Sequence, residues 1–352
     1  MDEPYEEIIS DEGKEEENES EEDEIGETNK KWEINLKEEE LFWTKMQNKD
    51  YIFAPKICPT CNFGTYEIKK YTNPNCINIF YCRCNNTKCR KKCNLRYYSV
   101  FRLAKKVPAS IVYKIIEKFI LEGSNAHELF KYINNTYKIK LAESTLQKIL
   151  KNIRYILAEY MKKNYDSSLI GGINENNIPR IVAIDESLFL HDSLGNQIWV
   201  VGGIETKELR MRLNVINLRN SENLETFIFN NFKEGTHFTH DGWSGYTFLN
   251  NNINFTHETH IHGGGDFGLG YHSTSHIENL WANLKKTIRS IYGIMPKKDF
   301  ILYLREAEFR INISKKKSDE KLDILFKIIR DIYEFCNFNF SSITELEDIN
   351  NY

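Results

Sequence analysis

The stretch IVAIDES, residues 181–187, decides the fold class of the second half of the chain. It opens with four consecutive apolar residues, which is typical of a buried strand, and Asp185 stands where this run ends. Two further apolar stretches follow closely, QIWVVGGIE at 197–205 and MRLNVINL at 211–218. The spacing therefore predicts three strands in quick succession.

The segments after these strands continue an α/β pattern. NSENLETFIFNNF, residues 220–232, predicts a helix with Asn220 or Ser221 at its N-cap. The next predicted elements are two strands, a glycine-rich loop and a helix, at 236–241, 253–260, 263–270 and 274–291. This order predicts an RNase H-like α/β fold with a mixed sheet.

Three carboxylates are placed where such a fold can bring them together. Asp185 and Asp241 each end a predicted strand, Gly242 permits a sharp turn after Asp241, and Glu278 lies on the last predicted helix of this series. Hard oxygen ligands suit Mg²⁺, and a two-ion site clamps the attacking and leaving oxygens of a phosphoryl transfer. Lys285 lies seven residues beyond Glu278 on the same helical face, so it can hold a DNA phosphate beside the ions.

Neighbouring residues are assigned other roles. Alternation along a strand points Glu186 to the face opposite Asp185, and we expect His240 to make local hydrogen bonds. Trp243 and Trp281 are interpreted as core aromatics. Five histidines also lie close together in the sequence: His257, His260, His262, His272 and His276. Their spacing lacks the usual cysteine or carboxylate partners, so we predict no second zinc site among them.

Seven of the eight cysteines lie within residues 58–93, which indicates zinc binding in a reducing compartment. Cys58 and Cys61 form a C-x2-C knuckle. The second pair comes from four later cysteines: Cys82, Cys84, Cys89 and Cys93. We choose Cys84 and Cys89, which are separated by enough residues for a turn, although either of the other two can replace a member. Four thiolates leave no open position, so the zinc is expected to be structural.

Composition excludes some classes of protein. The chain of 352 residues is 41% hydrophobic, and no uninterrupted apolar run reaches the roughly 18 residues that a membrane helix needs. Residues 1–30 hold 15 acidic residues and two lysines, and so are expected to be disordered; they do not resemble a secretory leader. The rest of the chain holds 45 basic and 36 acidic residues, which indicates an anionic partner.

Three helices are predicted between Pro108 and about Tyr165, the first of them ending at Gly123. With a basic last helix, they fit either a helix-turn-helix unit or a helical bundle whose lysines are a solvated face. The basic surface of the cysteine-rich segment suits contact with phosphates, or else is a simple solvated face. The candidate contacts with DNA phosphates are Lys91, Lys92, Arg96, Lys148, Lys151 and Arg154.

Five blocks resemble the DDE catalytic domain of the Merlin superfamily of cut-and-paste DNA transposases: IVAIDES, IWVVGGIE, THDGWSGY, HSTSHIENLWANLKK and YLREAEFR. Related bacterial insertion-sequence transposases with an N-terminal zinc ribbon share this pattern. The resemblance covers about residues 56–313, with 55 residues between Asp185 and Asp241 and 36 between Asp241 and Glu278. It implies that these three carboxylates bind the catalytic metals. The sequence departs from relatives at 273–275, where Ser-Thr-Ser replaces a His-Thr pair.

The resemblance implies a DNA transposase that binds the terminal inverted repeats of its element. With Mg²⁺ or Mn²⁺ it would catalyse strand cleavage and strand transfer. It implies double-stranded DNA as partner, a homo-oligomer, and a nuclear location in a eukaryotic host or a cytoplasmic one otherwise. Two alternatives stay open: a domesticated, inactive DNA-binding regulator, and an RNase H-like nuclease without strand transfer.

The predicted domain order follows from these assignments. An acidic disordered tail is predicted at residues 1–31, and a short helix with the zinc ribbon at 32–101. A helical helix-turn-helix-like DNA-binding domain follows at 102–165, and an RNase H-like DDE transposase domain at 178–316. A C-terminal helix and tail occupy 317–352.

Overall fold

The computed structural model describes most of the chain between residues 36 and 335. The described residues are 36–52, 57–58, 60–70, 80–94, 96, 101, 104, 107–123, 125–137, 141–163, 169–191, 195–260, 272–292 and 297–335. The predicted acidic tail at 1–31 and the glycine-rich loop at 263–270 lie outside them.

The described residues form two compact units. One unit comprises the described parts of Met1–Lys114 and Ile133–Lys140, and the other those of Ile115–Tyr132 and Leu141–Tyr352. The first unit contains helix α1 (Leu36–Asn48). It also contains three short strands that form an antiparallel sheet in chain order: β1 (Tyr66–Lys70), β2 (Phe80–Cys84) and β3 (Lys92–Asn94).

Helix α1 contributes to an aromatic cluster in the first unit. Phe42 and Trp43 each contact Phe101 edge-on, with ring centroids 5.4 Å apart. The buried carboxylate of Glu39 accepts a hydrogen bond from the N–H of Ala109 at 3.1 Å. Because the first N–H groups of a helix have no partner within it, this contact stabilises the start of the helix that Ala109 opens.

The helical periodicity after residue 107 is confirmed. Three helices follow one another, namely α2 (Ala109–Glu122), α3 (Ala126–Tyr137) and α4 (Glu143–Lys163). Gly123 has a φ of 69° directly after α2, a left-handed conformation that ends the helix as predicted. In α4 the apolar residues at helical spacing are all buried: Leu146, Ile149, Leu150, Ile153, Leu157 and Met161.

The second unit continues with strands and helices in alternation. Its strands are β4 (Ile170–Gly171), β5 (Ile181–His191), β6 (Gln197–Glu205), β7 (Arg210–Ile216), β8 (Phe232–Lys233), β9 (His237–His240) and β10 (Thr256–Thr259). Its helices after α4 are α5 (Ser221–Asn231), a 3-10 helix (Ser244–Asn251), α6 (Ser275–Tyr292), α7 (Lys297–Asn312) and α8 (Ser318–Phe335).

Five of these strands form one mixed sheet in the order β10–β9–β5–β6–β7. Strands β5, β6 and β7 are antiparallel neighbours, whereas β9 pairs in parallel with both β5 and β10. β4 and β8 form a separate parallel pair. The mixed sheet and its order of elements fit the predicted RNase H-like core.

Helices cover both faces of the sheet. On one face, Phe227 and Ile228 of α5 and Tyr246 of the 3-10 helix pack on the strands. On the other face, α6 and α7 contribute Ile277 and Phe300 to a second apolar cluster. Strand β5 lies between the two clusters, which explains its unbroken apolar run.

Helix α7 is not among the predicted elements. It carries the block YLREAEFR, whose charged residues form ion pairs within the second unit. Helix α4 packs against both α7 and α8. Among the described helices, none is both long enough and apolar enough to cross a membrane.

Candidate functional site

The structure corrects one of the two predicted strand ends, because Asp185 lies inside β5, which continues to His191, whereas Asp241 directly follows β9. β9 pairs in parallel with β5, with Ala183 opposite Thr239. Asp185 and Asp241 each lie two residues beyond this last pair, and the charge of Asp241 acts on Asp185. Asp185 shares a face with Ala183, because side chains two residues apart in a strand point the same way. Asp241, beyond the end of β9, comes within 3.9 Å of Arg219 Nη2.

The turn after Asp241 orients its carboxylate. Gly242 has a φ of 82°, in the left-handed region that favours glycine, as predicted. The N–H of Trp243 donates to Asp241 Oδ1 at 2.9 Å, which closes a turn through the aspartate side chain. The position of this carboxylate is therefore set by the backbone that follows it.

Two histidines form a hydrogen-bond chain that supports the same turn. The N–H of Gly242 donates to His240 Nδ1 at 3.1 Å, so the proton of His240 is on Nε2. His240 Nε2 lies 3.0 Å from His257 Nδ1, and His257 Nε2 lies 3.1 Å from Asn250 Oδ1. Burial lowers the pKa of His240 to about 4, so the ring is neutral, as this series of hydrogen bonds requires.

Helix α6 presents one face to strand β5. Glu278, Trp281 and Lys285 follow one another at spacings of three and four residues, so they share a face. The indole N–H of Trp281 donates to Asp185 Oδ2 at 2.9 Å, and Lys285 Nζ lies 5.3 Å from the centre of the Phe189 ring. The half-buried Glu278 precedes Trp281 by one turn. Glu278 and Lys285 therefore lie on the helix face that contacts Asp185.

A glycine on β6 allows Trp281 to reach Asp185. Gly202 lies opposite Asp185, and a Cβ atom at Gly202 would be only 2.6 Å from Trp281 Cη2. Any side chain at this position would therefore displace the indole ring. Trp281 is buried as predicted, but its hydrogen bond to Asp185 could not be read from the sequence.

A second buried carboxylate, Glu186, accepts hydrogen bonds from the hydroxyl of Tyr246 and from Arg219 Nε, the latter at 3.1 Å. Arg219 Nη2 also lies 3.9 Å from Asp241 Oδ2, and its guanidinium lies 4.1 Å from the centre of the Trp243 ring. Glu186 thus points away from Trp281, as strand alternation predicts. Arg219 is not among the residues that the sequence predicts for the site, because no motif marks a residue in the turn after β7.

Asp185 is a weaker acid in this environment than an ordinary aspartate. Burial, followed by the negative charge of Glu186, raises the pKa of Asp185 to about 7, and the charge of Asp241 contributes to the rise. A divalent cation would relieve this excess of negative charge, and carboxylate oxygens are the ligands that Mg²⁺ prefers. The donor set therefore fits the predicted catalytic metal.

Asp185→Asn is expected to stabilise the magnesium-free protein at alkaline pH. The pKa of about 7 in the folded state exceeds the ordinary value of 3.8, so the folded state binds this proton more tightly than the unfolded chain does. Stability then falls as the pH rises between these two values, by up to about 4 kcal/mol in total. Urea unfolding between about pH 5 and about pH 8, with zinc retained, measures the difference. The exposed Glu234→Gln is the control, and equal pH dependence in Asp185→Asn and the wild type would contradict the expectation.

Four cysteine sulfurs meet in the first unit. Those of Cys58, Cys61, Cys84 and Cys89 all lie within 4.8 Å of one another, which is the set chosen from the sequence. The Cys58–Cys89 distance is 3.8 Å and the Cys61–Cys84 distance is 3.7 Å, far longer than a disulfide bond. Zinc with Zn–S bonds of about 2.3 Å holds tetrahedral sulfurs about 3.8 Å apart. The cluster is therefore compatible with structural zinc.

The backbone around the first knuckle is adapted to this cluster. The N–H of Gly64 lies 3.4 Å from Cys61 Sγ, and hydrogen bonds from the backbone at Phe63 and Gly64 lower the pKa of the Cys61 thiol. A Cβ atom at Gly64 would lie 2.3 Å from Cys84 Sγ, so only glycine fits. Cys82 is buried on β2 outside the group.

Two of the predicted DNA contacts are corrected by the structure. Arg96 is buried, and its guanidinium donates to the carbonyl oxygens of Ala104 and Val107 at 3.1 and 2.6 Å. Arg154 is buried, and its Nε lies 2.5 Å from Glu306 Oε2. Because both guanidinium groups are enclosed by protein, neither is available to a DNA phosphate.

The other predicted basic residues remain accessible. Lys91, Lys92 and Lys148 are exposed. Lys151 is partly exposed and forms an ion pair with Asp299 at 3.0 Å. These four lysines stay candidates for phosphate contacts.

A second group of potential metal ligands was not expected. His237, Glu258 and His272 have ligand atoms within 4.8 Å of one another. The expectation that these histidines lack a carboxylate partner is corrected: Glu258 stands between His257 and His260 in the sequence, and the pairing of β9 with β10 brings it close to His237. The three carboxylates Asp185, Asp241 and Glu278 do not form such a close group among the described residues.

The whole chain was compared with known proteins. No curated protein matches the chain. One solved chain, from the cryo-EM structure of the simian T-cell lymphotropic virus intasome in complex with PP2A regulatory subunit B56 gamma, is 14% identical with a TM-score of 0.28. The alignment covers 55% of this chain and 66% of that one, just under two thirds of its length.

The family model of the ISXO2-like transposase domain matches residues 190–312. The matched segment includes Asp241, Glu278 and Lys285, and it begins five residues after Asp185. This match supports a DDE transposase family, while the narrower Merlin assignment stays a prediction. The part of the chain that carries two of the three predicted carboxylates is thus similar to an ISXO2-like transposase domain.

Proposed function

We propose that this protein is a DDE-type DNA transposase that cleaves DNA at the ends of its element and joins those ends to target DNA. One observation carries the proposal. Asp185 lies on β5 and Asp241 directly follows β9, the parallel neighbour of β5, while Asp185 is hydrogen-bonded to the helix that bears Glu278. The match of residues 190–312 to a transposase domain family supports the same reaction class.

The three carboxylates would hold divalent cations, Mg²⁺ or Mn²⁺. Bound cations of this kind stabilise the charge that develops when an oxygen displaces another at phosphorus. Each of two ions would bind only some of the three carboxylates. The carboxylates therefore do not all have to lie within reach of one ion.

The remaining side chains position the reacting groups. Trp281 fixes the orientation of Asp185 through its indole N–H. Lys285, two turns beyond Glu278 on the same helix face, binds a phosphate of the DNA strand. Arg219 neutralises the negative charge of Glu186 and lies close enough to Asp241 to limit the motion of the Asp241 side chain.

The four cysteines would bind a structural zinc ion that organises the ribbon. The protein acts on double-stranded DNA, with Lys91, Lys92, Lys148 and Lys151 contacting phosphates. Two ends have to be held together, so the active form is a homo-oligomer. The site of action is the nucleus in a eukaryotic host and the cytoplasm otherwise.

A strand-cleavage and strand-transfer assay tests this function. Purified full-length protein is incubated with labelled DNA that carries the inverted repeats flanking its gene, with Mg²⁺ or Mn²⁺. We expect metal-dependent cleavage at the ends followed by joined product. Nicked product without joining would identify a nuclease instead. Tight end binding without cleavage in either metal would identify an inactive DNA-binding regulator.

A further inference from the structure

A cluster of histidines surrounds one carboxylate beside the edge strand of the sheet. Glu258 Oε1 lies 3.7 Å from His237 Nε2 and 3.3 Å from His260 Nε2, and it is hydrogen-bonded to His272 Nδ1. Glu258 is on β10, His237 opens β9, and His272 precedes α6. Three segments that are distant in the sequence therefore meet at one oxygen atom.

The contacts of His237 and His260 with Glu258 have the spacing of ligands round a small ion, whereas His272 makes a closer, direct hydrogen bond to Glu258 that a bound ion would replace. Zinc binds nitrogen and oxygen at about 2.0–2.2 Å, which sets tetrahedral ligand atoms about 3.3–3.6 Å apart. The distances of 3.3 and 3.7 Å in the cluster are close to this value. Imidazole nitrogens with one carboxylate suit Zn²⁺ better than Mg²⁺, which takes mainly oxygen ligands.

The hydrogen bonding of His237 is that of a metal ligand. Its Nδ1 lies 2.8 Å from the hydroxyl of Thr256. Its Nε2 is buried and makes no hydrogen bond within the described part of the chain, although it faces Glu258. Metal-binding histidines use one ring nitrogen for the ion and bind a neighbouring group with the other, which fixes the tautomer.

An ion pair between a protonated His272 and Glu258 explains less of the geometry. It accounts for the contact between those two residues. It leaves the buried Nε2 of His237 unexplained, together with the approach of His260 to the same carboxylate oxygen. A cation at the centre of the cluster accounts for the approach of both His237 and His260 to Glu258.

We propose that His237, Glu258 and His272 form a second zinc site, with His260 within reach as a fourth ligand. This site consists of residues different from the cysteine cluster and from the carboxylates of the proposed active site. A bound ion would tie β9 and β10 to the segment that precedes α6. Because α6 carries Glu278, occupancy would stabilise the position of that helix against the sheet.

Metal analysis of the full-length protein tests the proposal without any need for activity. Protein is loaded with zinc and dialysed in excess Mg²⁺, so that the carboxylate site holds magnesium. The number of zinc ions per chain is then measured by elemental mass spectrometry. We expect about two zinc ions per chain in the wild type, and about one in Glu258→Gln and in His272→Asn. The exposed His191→Asn is the matched control and should keep both ions.

Cobalt substitution separates the two sites. Cys89→Ser should lose the strong sulfur-to-cobalt charge-transfer absorption and keep weaker bands typical of nitrogen and oxygen ligands. Circular dichroism checks that each variant is folded. Wild-type protein with a single zinc ion that disappears in Cys89→Ser would overturn the proposal. Two ions retained in both Glu258→Gln and His272→Asn would overturn it as well.

Discussion

Asp241→Asn is expected to reduce metal-dependent DNA strand cleavage by about a thousandfold or more, while binding to DNA ends is retained. The substitution is nearly isosteric, and an asparagine oxygen can still accept the hydrogen bond that the N–H of Trp243 donates to Asp241. The turn should therefore keep its shape. What is lost is a negative charge at the end of β9, which the proposed cations require. Cleavage rates and end-binding affinities, measured on the same DNA, separate these two effects.

The exposed Glu234→Gln is the matched control, since it removes a carboxylate from a surface turn of the same unit. It should cleave at the wild-type rate. If Asp241→Asn cleaved as fast as Glu234→Gln, Asp241 would not be a metal ligand. If it lost cleavage and end binding together, its role would be structural.

Glu308→Gln is expected to lower the free energy of unfolding by about 3–5 kcal/mol. Glu308 is fully buried on α7, and its carboxylate lies 3.0 Å from Nη1 of the buried Arg212 on β7. Arg305 Nη1 lies 2.5 Å from the other carboxylate oxygen. Removal of the negative charge leaves Arg212 charged in a region that water cannot reach. Urea unfolding at constant zinc concentration measures the loss.

The pair between Lys327 and Asp323 on α8 is the matched control, because its 2.8 Å contact is largely exposed. Asp323→Asn should cost no more than about 0.5 kcal/mol. A double variant, Arg212→Met with Glu308→Leu, tests the cause, because an apolar pair of similar size should restore most of the stability. A small loss in Glu308→Gln, or no recovery in the double variant, would contradict the explanation by an uncompensated charge.

The buried pair of Arg212 and Glu308 indicates a structural role for the block YLREAEFR, which contains Glu308. Glu306 accepts from Arg154 of α4 and from Arg310, at 2.5 and 2.8 Å. Arg310 further donates to the carbonyl oxygens of Phe119 and Ile120. The charged residues of this block thus connect α7 to the sheet and to neighbouring helices, rather than to a substrate.

Local patterns in the sequence were sufficient for much of the fold. The apolar run before Asp185 predicted a buried strand, and the helical spacing in residues 108–165 predicted α2, α3 and α4. Gly242 predicted the turn after Asp241. Cys84 and Cys89 could be chosen as the second zinc-binding pair because their spacing leaves room for a turn between them. Apart from the meeting of the two cysteine pairs, each of these features depends on residues close together in the chain, where steric preference and hydrogen bonding act directly.

Contacts between distant segments could be read only from the tertiary structure. Arg154 has the position of an exposed basic residue on α4, yet α7 supplies Glu306 and encloses it. His237 and His272 have no carboxylate next to them in the sequence, and the folded chain brings Glu258 to both. Trp281 has the pattern of a core residue, and only the packing of α6 over Gly202 brings its indole N–H to Asp185. The charge and hydrogen-bonding state of a side chain depends on what surrounds it, and these surroundings come from residues tens of positions or more away in the sequence.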